Sequence, residues 1–106
     1  MIVPTAFAQQ AQFRAIVNRA AQQLRPDVID LTFTLGNDWS GEPAVFFMII
    51  LSNAASQRDQ LLSTTSRVSN SIVQFVQPLE QWGVLPYFNF RSEAEQEKIN
   101  QQSLAS

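Results

Sequence analysis

Apolar positions along the chain change period several times, and each change marks an element. From Thr5 to Leu24 the residues Phe13, Ile16, Val17, Ala20 and Leu24 recur at helical spacing on one stripe about 100° wide, predicting an amphipathic helix. Thr5 is its expected N-cap. Pro26 is its stop, because the residue before a proline is pushed out of the α region. Arg14, Asn18, Gln22 and Arg25 lie opposite the stripe.

Strict alternation follows from Val28 to Leu35. It sets Ile29, Leu31, Phe33 and Leu35 on one face and Asp30, Thr32 and Thr34 on the other, as in a half-buried strand. The segment Gly36-Asn37-Asp38-Trp39-Ser40-Gly41-Glu42-Pro43 gathers turn formers and predicts a hairpin loop longer than two residues. Ala44 to Leu51 is then apolar at every position, the pattern of a central strand covered on both faces.

Ser56 to Asp59 has capping-box spacing and is expected to open a second helix with Leu61, Thr65, Val68, Ile72, Phe75, Val76 and Leu79 inward. Pro78 should kink or restart this helix, and Gly83 should close its last turn. Tyr87 to Arg91 alternates again as a third strand. A helix between the second and third strands implies a parallel crossover connection. Ser92 and Glu95 form another capping box, for a short last helix that has only Ala94, Ile99 and Leu104 to bury. The reading is a single α/β (α+β) domain over residues 1–106 of order α-β-β-α-β. A three-stranded mixed sheet packs with two amphipathic helices, and residues 93–106 are exposed or docked on a partner.

Composition narrows function chiefly by exclusion. The chain has no cysteine and no histidine, which removes disulfides, thiol nucleophiles, Cys/His zinc sites and histidine bases together. No glycine-rich phosphate loop precedes a helix, and no Gly-x-x-Gly loop of the RNA-binding kind occurs. The acidic-x-Lys pair of a metal-dependent nuclease is also missing from the central strand, and Lys98 is the only lysine. No cofactor and no metal site are expected. A net charge of −2 argues against nucleic acid as a partner. The charge is unevenly spread: residues 1–25 carry Arg14, Arg19 and Arg25 without an acid, while the rest holds four basic and nine acidic residues, a net of −5. No apolar run reaches the ~20 residues of a membrane span, and Met1 to Gln10 lacks the basic and apolar regions of a signal peptide. A cysteine-free chain suits a reducing cytoplasm, and the expectation is a bacterial cytoplasmic protein.

Two polar groups stand out as candidate binding residues. Asp38, Trp39 and Glu42 come together at the hairpin tip, where two carboxylates could serve a cation or acid–base chemistry and Trp39 could anchor a partner. Tyr87, Asn89 and Arg91 project in a row from the third strand beside Ser92, able to meet a peptide, carboxylate or phosphate. The plainer readings are an ordinary turn and a solvated edge strand. If both helices cover one face of the sheet, the other face of the central strand stays bare. The expectation is therefore a non-enzymatic interaction protein, homodimeric, with half of a two-protein system such as an antitoxin with its toxin as one specific version. The alternative is a small-ligand binder or carboxylate-using enzyme with a site between the 36–43 loop and strand 87–91.

Overall fold

The computed structural model describes residues 3–105, with side chains through Gln102. Its elements run α1 (Thr5–Ala8), α2 (Gln10–Gln23), β1 (Val28–Asn37), β2 (Pro43–Leu51), α3 (Leu61–Val76), α4 (Pro78–Trp82), β3 (Leu85–Ser92) and α5 (Glu93–Ala105). This is the mixed α+β order that the periodicity predicts. The sheet order is β1-β2-β3, with β1 antiparallel and β3 parallel to the central β2.

The two long helices lie on one face of the sheet. Phe13, Val17 and Ala20 of α2 and Val68, Ile72 and Val76 of α3 share a core with Leu31, Val45, Phe47, Ile49 and Leu51. Phe13 sits at its centre, edge-on to Phe33 at 4.9 Å and to Trp82 at 5.1 Å. Arg67 of α3 bonds Asp27 at 2.6 Å, but both side chains are well exposed, so the pair adds little.

Several local expectations are corrected. The first helix is two, because the backbone of Gln9 leaves the helical region (φ −126°, ψ 57°), and Pro4 rather than Thr5 precedes it as N-cap. In β1 the register slips between Val28 and Asp30. This bulge takes Val28 into the core and leaves Ile29 42% exposed, against the plain alternation. Ser56 to Asp59 caps no helix: Ser52 and Ser56 brace turns there through Ala55 N–H to Ser52 Oγ and Ser56 Oγ to Ser52 O. α3 begins only at Leu61, so Thr64 is buried in place of Leu61, and Leu79 is exposed. Leu104 falls outside the described side chains.

Other signals hold. Gln77 in the left-handed region and Pro78 at the first position of α4 restart the helix, and Gly83 (φ +70°) ends it with Val84 N–H bonded to Pro78 O. Ser92 and Glu95 make the reciprocal capping box, each backbone N–H donating to the other's side chain.

Gly36 and Gly83 separate conformation from space. Gly83→Ala forces a Cβ into the left-handed region and is expected to cost about 1–2 kcal/mol. Gly36→Ala meets only Phe46 at 3.7 Å, and should leave stability unchanged or raise it by about 0.5 kcal/mol. Urea titration of both variants checks the contrast.

Candidate functional site

With α2 and α3 on the same side, the alternate residues of every strand face away from the core. Register sets Thr34, Phe46 and Tyr87 in one row across this outer face and Thr32, Met48 and Asn89 in the next. Phe46 stacks on Tyr87 at 5.4 Å between centroids and is still 38% exposed. These rows line a shallow depression of about 330 Å³. On this face β2 is only partly covered, with Phe46 and Met48 open between the buried Ala44 and Ile50, which corrects the expectation of full cover on both faces. At the far end, where α5 packs on β2 and β3, Ile50 is nearly buried.

The hairpin tip is tied to the near end of this depression through Tyr87. Asp38 Oδ1 accepts bonds from the Ser40 N–H (2.9 Å), the Ser40 hydroxyl (2.6 Å) and the Glu42 N–H (3.0 Å). Its Oδ2 accepts the Tyr87 hydroxyl at 2.7 Å, which ties the β1–β2 loop across to the opposite edge strand. The Ser40 hydroxyl first, then the Tyr87 hydroxyl, draw the Asp38 carboxyl from its ordinary 3.8 to about 2. Bonding to that carboxylate raises Tyr87 above its ordinary 10. The Asp38 contribution to the latch is thus complete above the ordinary carboxyl value and is lost as pH falls through about 2. The Tyr87 contribution is complete below pH 10 and is lost as pH rises through its raised value.

Tyr87 is the only tyrosine, so its ionisation can be followed directly by ultraviolet absorbance. Asp38→Ala should bring the Tyr87 midpoint down toward 10. An unchanged midpoint would show that the bond is not made in solution.

The candidate residues do not converge on one pocket. Asp38 and Tyr87 meet; Glu42 contributes its backbone to the same turn; Trp39 stands 94% exposed beside them. Asn89 is two residues farther along β3. Arg91 lies level with Ile50, four residues or about 13 Å beyond Tyr87, and donates to Gln96 Oε1. The separation removes a shared site for the loop and Arg91. A second cleft of about 300 Å³ opens at the other end, where β2 and β3 finish side by side, lined by Asn53, Thr65, Arg91 and Glu95 among others. Its polar groups are already engaged: Asn53 accepts from Ala94 N–H, and Glu95 from Ser92 N–H.

Among the described residues no three His, Cys, Asp or Glu side chains gather where they could share a metal ion, and no helix is long and apolar enough to cross a membrane. Phe46 and Met48 escaped the sequence reading as surface residues. An all-apolar strand shows that both faces want cover, and nothing in it shows which face the helices leave. Comparison with known protein families and with curated proteins finds no match.

Proposed function

We propose that the protein is a non-enzymatic interaction module, working in a reducing cytoplasm, that self-associates through the outer face of its sheet. The observation that carries this reading is the Phe46, Met48 and Tyr87 surface, left open opposite two helices that both pack on the other side. Exposed contiguous apolar surface of this kind is what sheets bury against other sheets, at about 10 Å separation.

One symmetric arrangement fits the outline. A two-fold axis across the strands at the level of Phe47 lays the Phe46 row of one copy on the Met48 row of the other, a ring-on-thioether contact. It also carries the hairpin tip, with exposed Trp39, onto α5 of the second copy. This gives the exposed indole and the polar last helix a common use.

The area sets the strength. Three strands about 4.8 Å apart and eight residues long present a face of roughly 14 by 26 Å, on the order of 400 Å² in projection. That is about half of what each partner gives to a standard interface, so the dissociation constant should be micromolar or weaker. Light scattering behind size exclusion, over about 1–500 µM loaded protein, should show the mass rise from one chain toward two. A single-chain mass throughout would overturn the reading.

A further inference from the structure

The outer edge of β1 is a second, separate surface. β1 spans ten residues, and only its first three are disturbed by the bulge at Ile29. From Leu31 to Asn37 it contains no proline, lysine or arginine, the devices that usually blunt an edge. β3, the other edge, carries Pro86 and Arg91. Half of the β1 backbone N–H and C=O groups therefore face outward with no strand to receive them.

Beside this edge runs α2, antiparallel to β1. Phe13 and Arg14 lie against Phe33, with the Arg14 guanidinium 5.1 Å over the ring. At the other end Asn18, Ala21, Gln22 and Arg25 of α2 and Ile29, Asp30 and Leu31 of β1 line a depression of about 250 Å³, which opens at the bulged start of the edge and leads onto its undisturbed part toward Phe33. Arg14 and Arg25 are eleven residues apart, about 16 Å along the helix, the span of about five residues of extended chain. Among the described residues neither has an ion-pair partner; Arg67 to Asp27 is the pair that forms. An edge strand flanked by a helix is the setting in which extended peptides add to a sheet.

We propose that the β1–α2 groove takes an extended acidic segment of another protein as a fourth strand, its backbone on β1 and its carboxylates on Arg14 and Arg25. A second copy is the poorer occupant. Pairing β1 with its own symmetry mate would lay two α2 helices side by side, with Arg14 of one facing Arg25 of the other. Asp30 also lines the groove, so an uncharged residue belongs opposite it. The surface is distinct from the outer sheet face and does not depend on self-association there.

The probe is a fluorescein-labelled, end-blocked peptide Thr-Glu-Thr-Val-Thr-Glu-Thr, whose two glutamates share a face four residues apart. Fluorescence anisotropy with the full chain should show saturable binding that weakens as salt is raised. Replacing both glutamates by glutamine, or making R14Q/R25Q, should each weaken it about fivefold to tenfold. N-methylation of alternate peptide amides on one register should abolish binding, while methylation on the other register leaves it intact. Binding indifferent to the arginines and to methylation, or absent at millimolar protein, overturns the proposal. So does a dimer that survives Phe46→Glu and protects β1 amides from hydrogen exchange, because it puts a second copy on this edge.

Discussion

Phe47→Ala is expected to lower the free energy of unfolding by about 3–5 kcal/mol, while Phe46→Ala, one position away on the same strand, costs about 1 kcal/mol. Phe47 is 1% exposed, stacked on Phe88 at 5.4 Å and enclosed by residues of both long helices. Removing its ring leaves a cavity that two helices and a sheet cannot collapse into, so the cavity adds to the lost transfer energy. The Phe46 ring already meets water on one side and gives up only its stack on Tyr87 and part of its burial. A domain of this size has about 5–15 kcal/mol in hand, so the first substitution uses a large share. If Phe47→Ala fails to fold, Phe47→Leu keeps most of the volume and should cost about 1–1.5 kcal/mol. Urea unfolding at a concentration where light scattering shows a single chain measures all three. Equal losses at 46 and 47 would mean that β2 is covered on both faces.

Much of this contrast is legible in the sequence. The helical stripe of Phe13, Val17 and Ala20 and the alternation of Leu31, Phe33 and Leu35 each point to one buried face, and the fold uses both as written. The Ser92/Glu95 capping box was readable because all its partners are local. Where the reading slipped, a competing local choice existed. Val28 and Ile29 are adjacent and equally apolar, so alternation takes Ile29, whereas the fold bulges and buries Val28. Ser56 to Asp59 has correct cap spacing but lies in the connection between the end of β2 and the start of α3.

The candidate site was harder for a different reason. The Asp38–Tyr87 bond joins residues 49 positions apart, and it exists only because the parallel crossover returns β3 beside the start of β2. Spacing named both residues and could not introduce them to each other. The open outer face likewise depends on which side α2 and α3 both choose, a tertiary decision that a uniformly apolar strand does not encode.

That decision is also what gives the second large effect. Phe46→Glu should hold the protein as a single chain at every concentration up to about 500 µM, with the fold intact by circular dichroism. Symmetry puts two carboxylates, one from each copy, against the Met48 thioethers at the centre of the interface. Burying an unpaired charge there costs several kcal/mol, enough to weaken a micromolar dimer a hundredfold or more. Trp39→Ala tests the same arrangement from its rim. At 94% exposure the indole contributes almost nothing to the folded monomer, so urea stability should stay within about 0.5 kcal/mol. Association should nonetheless fall about tenfold, because a tryptophan seated on α5 of the second copy behaves as an anchor. Loss of association in Phe46→Glu with none in Trp39→Ala would keep the sheet face and discard the two-fold across the strands, since that axis alone brings the hairpin tip onto the last helix. Retention of the dimer in both would place the interface elsewhere on the molecule.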